Sequence, residues 1–148
     1  MSRSGYSDNC DNWDLIRWRG AVTSAIRGKR GQSFLRELVA ALDAIPTKRL
    51  IAEALECGGE VCALGSIGRQ RGIAMGHIDP WGQDGDGDNS ELLASMFKIP
   101  MALAKEIMFE NDQDFRWSTD DETPEQRWSR MRAWAVAKIK QPTPQEAT

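Results

Sequence analysis

Asp84, Asp86 and Asp88 alternate with the spacing that the first half of a calcium loop gives its oxygen ligands. The pattern then fails. Asn89 stands where such a loop needs glycine for its sharp turn, and Ser95 stands where it needs a bidentate glutamate. The stretch reads better as a solvated acidic loop than as a calcium site, and no metal is assigned to it. His77, the one histidine, lies just before it, with Asp79 two residues on. Together with Cys10, Cys57, Cys62 and several serines it offers a nucleophile and a base by composition, but no spacing joins them. One histidine and three scattered cysteines make no zinc tetrad of ordinary spacing. Gly28-Lys29-Arg30-Gly31 lacks the Gly-Lys-Ser/Thr order of a phosphate-binding loop. Set before a helix, it reads either as amides and cations that meet a phosphate or as a helix-helix turn with solvated charges. The chain is therefore expected to be non-enzymatic, with no cofactor and no catalytic residue.

The charges are segregated. Against a net charge of −3, residues 79–125 hold thirteen Asp/Glu and three Lys/Arg, residues 1–50 hold nine Lys/Arg and five Asp/Glu, and residues 126–148 hold five and one. Such blocks either neutralise one another in the fold or face partners. Trp81 and Trp117 lie in the acidic third outside any helical stripe, as does Phe115. They either roof the core or anchor an interface ringed by carboxylates. The candidate partner-binding face is accordingly Trp81, Asp84, Asp86, Asp88, Asp112, Asp114, Trp117, Asp120, Asp121 and Glu122, suited to a host protein with a basic surface. The candidate nucleic-acid face is Arg17, Arg19, Lys29, Arg30, Arg127, Arg130 and Arg132. Trp13, Trp18, Trp128 and Trp134 interleave with these cations, but most fall on buried stripes, which argues against base stacking.

These residues must be positioned by helices. Asp11 or Asn12 caps a first helix, whose Leu15, Trp18, Val22 and Ala25 recur at helical spacing. Gly28 to Gly31 breaks it. A second helix turns Phe34, Leu35, Leu38, Val39, Leu42 and Ile45 inward and stops at Pro46. Residues 48–64 read two ways. One is a helix over Leu50, Ile51, Ala54 and Leu55 that stops at Gly58-Gly59, favoured by an Ala- and Glu-rich start. The other is a β-hairpin turning on Gly58-Gly59 with Leu55 facing Cys62; Val61 and Cys62 tilt the choice towards it. Gly65 to Arg71 opens a short helix. Residues 76–90 are loop, and helices follow at Ser90–Lys98 and Met101–Glu110 about a break at Ile99-Pro100. Residues 111–122 are acidic and irregular. Thr123-Pro124-Glu125-Gln126 is a capping box, opening a last helix with Trp128, Met131, Ala135 and Ile139 inward.

The two helices around Ile99-Pro100 have the shape of a helix-turn-helix, with Ala94, Phe97, Ile99, Leu103 and Ile107 placed to pack the unit on itself. A DNA-reading second helix needs Arg, Lys, Asn or Gln outward, whereas this one offers Lys105 beside Glu106 and Glu110. An αα-hairpin used for core packing is the favoured reading. The expected fold is mostly α (α+β), a compact bundle of five to six helices with one small β-hairpin. It forms a single domain over residues 1–148, with an irregular lead-in at 1–11 and a frayed tail at 141–148. No apolar run reaches the ~20 residues of a membrane span, and the start has no apolar leader core. Sparse cysteines and no leader predict a cytoplasmic protein.

The stretches Ser-Gly-Tyr-Ser-Asp-Asn-Cys (4–10), Arg-Gly-Lys-Arg-Gly-Gln (27–32), Glu-Val-Cys-Ala-Leu-Gly (60–65) and Glu-Thr-Pro-Glu-Gln-Arg-Trp (122–128) resemble a family of short proteins of proteobacterial phages, prophages and their hosts. The resemblance spans nearly the whole chain and departs in the Gly-rich loop at 82–89. It brings no assigned active site. It implies a context, since small phage accessory proteins often inhibit host defence stoichiometrically, as anti-CRISPRs do, or modulate the host. The leading expectation is an accessory protein that inhibits a host factor by laying its acidic face over a basic surface. The alternative is a nucleic-acid-binding regulator using the basic helices and the helix-turn-helix-like unit. A homo-oligomer is open in either case.

Overall fold

The computed structural model describes residues 12–76, 78–80, 89–112 and 122–140. They form six helices and one hairpin in the order α1 (Asn12–Arg27), α2 (Lys29–Ala44), β1 (Glu56–Cys57), β2 (Glu60–Val61), α3 (Ala63–Arg71), α4 (Ser90–Phe97), α5 (Met101–Asp112) and α6 (Pro124–Lys138). The fold is the expected mostly-α bundle with a small hairpin.

α2 is the central element, packed against α1, α3 and α6. Leu35, Leu38 and Leu42 fall at i, i+3 and i+7 and are each 0% exposed. They join Leu64, Ile67, Phe97, Leu103, Ile107 and Met131 in one connected core. Phe34 and Phe97 meet edge to face, with ring centroids 6.3 Å apart. Gly28 parts α1 from α2 with an extended backbone, and Gly31 lets the two helices close. A Cβ at Gly31 would overlap the carbonyl oxygen of Ala25 and lie 3.0 Å from that of Ile26.

The hairpin reading of residues 48–64 holds in its turn and register, but its strands are short. Gly58 and Gly59 take φ of 59° and 83°, the left-handed pair that a two-residue turn requires. Glu56 pairs with Val61, and one step out the Cys62 amide donates to the Leu55 carbonyl at 3.1 Å. Regular pairing stops there because the chain turns at Glu53, left-handed at φ 68°, so that the Ile51 amide comes back to the Val61 carbonyl at 3.0 Å while its neighbours meet α5 and α6. The Asn111 Nδ2 donates to the Ile51 carbonyl, and the Leu50 amide donates to the Pro124 carbonyl.

The capping box forms as read. The Gln126 amide donates to Thr123 Oγ1 at 3.1 Å, and Gln126 Oε1 accepts from the Thr123 amide at 2.9 Å. The α4–α5 pair turns on Lys98, left-handed at φ 58°. It serves core packing and does not expose a reading helix. α5 lies against α1, α3, α4 and α6, and Leu103, Ala104, Ile107 and Met108 are buried. No helix of the described residues is long and apolar enough to cross a membrane.

Cys62 caps α3. Its Sγ accepts from the Gly65 amide at 3.4 Å, and the side chain is 0% exposed. Burial pushes its thiol up from 9.0 to about 12, while Cys57 is exposed on the hairpin. A thiolate-directed alkylating reagent at pH 8 is therefore expected to label Cys57 in the folded protein and leave Cys62 untouched until denaturant is added. Rapid native labelling of Cys62, read by peptide mass, would show that the α3 start opens freely. Because the folded thiol holds its proton more tightly than the unfolded one, this group's contribution to stability is constant below pH 9 and declines as pH rises from there towards 12.

Candidate functional site

The acidic face and the basic face fare differently. Trp81, Asp84, Asp86, Asp88, Asp114, Trp117, Asp120 and Asp121 lie outside the described residues, as do Cys10, His77 and Phe115. The two described members of the acidic face are engaged within the fold. Asp112 accepts from the Glu53 amide at 3.1 Å and from Asn111 Nδ2 at 2.7 Å, holding a turn in which Glu53 adopts φ 68°. Glu122 has only 8% of its side chain exposed and takes both fork nitrogens of Arg130, at 2.6 and 2.9 Å, with Arg127 at 3.4 Å. Both carboxylates are thus already engaged by groups of the fold. Among the described residues no group of His, Cys, Asp and Glu is arranged to hold a metal ion.

The α6 arginines are likewise used inside. A helix leaves its last carbonyls without intrahelical donors, and cations suit that negative end of the dipole. Arg130 donates to the Glu110 and Asn111 carbonyls at the end of α5. Arg127 donates to the Asn111 carbonyl at 3.0 Å and to that of Leu50 at 3.2 Å. Arg132 makes a two-toothed pair with Asp43 at 2.7 and 3.0 Å. The Arg132 hydrogen bond holds the Asp43 carboxyl below the usual carboxylate range. Elsewhere Arg71 donates to the Phe97 carbonyl closing α4 and to both oxygens of Glu37, and Lys48 and Trp128 donate to carbonyls at the end of α2. Removing Arg127, Arg130 and Arg132 from the candidate nucleic-acid face follows from this: they tie helix ends together.

What remains is a cationic end. Between Leu15 and Arg36 the chain has six Lys/Arg and no Asp/Glu. Arg17, Arg19, Arg27, Lys29, Arg30 and Arg36 are all exposed, and none forms a salt bridge among the described residues. Two more cations arrive from the other end of the chain, through a contact that sequence spacing does not reveal. Gln32, 5% exposed, donates from Nε2 to the Ile26 carbonyl at 2.8 Å and to the Lys138 carbonyl at 3.0 Å, and its Oε1 accepts from the Lys140 amide at 2.7 Å. One buried amide thereby closes the end of α1, the start of α2 and the end of α6 on one another. Lys140 Nζ reaches the Arg27 carbonyl at 2.8 Å.

Among the described residues no carboxylate pairs with the cations at this end. The first turn of α2 carries Lys29 and Arg30, has no acidic residue, and no side chain caps its amides. A helix N-terminus favours an anion, and each misplaced cation there costs about 0.3–1 kcal/mol. On α1, Trp13 and Ile16 are 59% and 57% exposed, the most exposed large apolar side chains of the described residues. Arg17 lies over the Trp13 ring, 5.5 Å from its centroid. Trp18, by contrast, is 8% exposed beneath Lys105, and Trp128 and Trp134 are half-buried against the core. The signal for Trp13 was present in the sequence: it stands two residues before Leu15, about 200° around the helix from the Leu15–Trp18–Val22 stripe.

Compared with known proteins, the chain matches no protein-family model, no curated protein and no solved structure.

Proposed function

We propose that this chain is a binding protein rather than an enzyme, and that it engages a polyanion, nucleic acid in the first place, through the cationic end built by the α1–α2 turn and the end of α6. The observation that carries the reading is the α2 N-terminus. Two cations and uncapped amides sit where the helix dipole favours an anion, with Arg27, Lys138 and Lys140 gathered beside them by Gln32. A phosphate would relieve that repulsion and accept from the amides. The acidic-face reading, in which a basic host surface is occluded, is weakened by the internal engagement of Asp112 and Glu122. The phage resemblance supplies the context: an accessory protein acting in the cytoplasm on a host nucleic-acid assembly.

The test is a mobility-shift titration over a salt series. Binding at low salt is expected to weaken with a log–log slope of about 0.9 per duplex phosphate neutralised. Charge reversal at K29E and R30E together should abolish the shift. R132E, which breaks an ion pair with Asp43, should leave the shift in place. No shift at low salt, or one indifferent to K29E and R30E, would remove this end from consideration.

A further inference from the structure

We infer that the outward face of α1 is a stacking platform, and that the nucleic acid this protein takes is single-stranded. The inference rests on the cationic-end reading and sharpens it. Trp13 projects into solvent from a helix whose next exposed positions on that face are Ile16, Arg17 and Gly20, with Arg27 beyond. From Trp13 to Arg27 the stripe runs 14 residues, or ~21 Å at the helical rise. It begins with an indole, ends in the cations that flank the α2 N-terminus, and carries no carboxylate from Leu15 onward.

Each part has a use on an unpaired strand. The Trp13 indole gives a base a flat apolar surface, and the Arg17 guanidinium, already lying over that ring, is a planar cation that both stacks on a base and pairs with a phosphate. Gly20 is exposed in mid-helix, and a Cβ there would touch nothing within 4 Å, so packing within the fold does not call for glycine. Its bare backbone keeps the middle of the stripe low, where a sugar-phosphate chain passing from indole to cations would lie closest. A duplex makes poor use of this face. Its bases are already stacked and closed to an indole projecting from a convex helix. The helix in the groove-reading position of the helix-turn-helix-like unit, α5, is covered on several sides by its neighbours. An acidic protein surface would satisfy the cations but gives no use to an exposed indole with a guanidinium over its ring.

Fluorescence anisotropy with labelled oligonucleotides of about 12 nucleotides, within the footprint range of single-strand binders, tests this on the full chain. The probes are a thymidine oligomer, a uridine oligomer and a duplex of the same length. The single strands are expected to bind more tightly than the duplex, and preference between the two oligomers tells DNA from RNA. W13A should weaken single-strand binding about 5- to 100-fold and leave duplex binding unchanged, while W13F keeps most of the affinity. Because Trp13 is exposed, W13A should retain the wild-type circular dichroism and melting temperature. If K29E and R30E together weaken both probes while W13A changes neither, the platform is wrong and the cationic end stands. If no probe binds at low salt, both fail, and an acidic protein becomes the partner to seek.

Discussion

Replacing Arg130 by alanine is expected to lower the unfolding free energy by about 3 kcal/mol, a fall in melting temperature of about 10 °C for a chain of this size. The guanidinium joins three groups that have little recourse to water. It pairs with Glu122, whose side chain is 8% exposed, and it donates to the carbonyls of Glu110 and Asn111 at the end of α5. Truncation leaves a nearly buried carboxylate with Arg127, at 3.4 Å, as its one cation among the described residues, and it strips the Glu110 carbonyl of this donor. Removing one partner of a buried pair costs more than the pair contributes, because the remaining charge stays desolvated. Arg130 is itself 21% exposed, so solvent enters on one side and the loss falls at the lower end of the usual range. R130K should recover part of the loss, since an ammonium keeps the charge but not the two-toothed grip. A double-mutant cycle of R130A with E122A, followed by urea unfolding, should show a coupling of about 2 kcal/mol. A coupling near zero would mean that the α5–α6 junction is held by packing of Met131 and Ala135 alone.

That junction marks where sequence reading gives out. Local signals were sound. The Thr123–Gln126 box lies within four residues, and the Gly58-Gly59 turn needs only two residues of positive φ. The apolar stripe of α2 repeats at helical spacing, and each of these predicts its own geometry. Glu122 differs: nothing in its neighbourhood says that it folds back onto Arg127 and Arg130 instead of facing solvent with the rest of the acidic third. Arg127 and Arg130 looked like an outward basic face because their partners, the carbonyls ending α5, belong to backbone positions 16 to 20 residues away. Gln32 meets the end of α6 across more than a hundred residues. Charge patterning counts side chains, and it cannot see carbonyls that a helix end leaves unpaired. Subtracting the cations spent on helix ends is what isolates the α1–α2 turn as the cationic end, and only the fold permits that subtraction.

Among the glycines, Gly31→Ala is expected to destabilise the protein by about 3 kcal/mol, whereas the same change at Gly20 should stabilise it by up to about 1 kcal/mol. Both positions are helical, so intrinsic propensity favours alanine at each. What differs is what a methyl group meets. At Gly20 it meets nothing within 4 Å. At Gly31 it would overlap the Ala25 carbonyl oxygen, with the Ala25 carbonyl carbon at 2.9 Å and the Ile26 oxygen at 3.0 Å. Those atoms are backbone of the last turns of α1, so relief means prising α1 from α2. Prising them apart stretches the Gln32 bond to the Ile26 carbonyl and disturbs the junction that gathers Lys138 and Lys140. Gly68 separates clash from rigidity, since the atoms its methyl would strike belong to the flexible side chain of Met75. Gly68→Ala should therefore cost less than Gly31→Ala, as Met75 can change rotamer. Thermal melts of the three variants should order them Gly20→Ala highest, Gly68→Ala next and Gly31→Ala lowest. A Gly31→Ala protein as stable as wild type would mean that α1 does not cross α2 this closely, and the cationic end would lose the contact that assembles it.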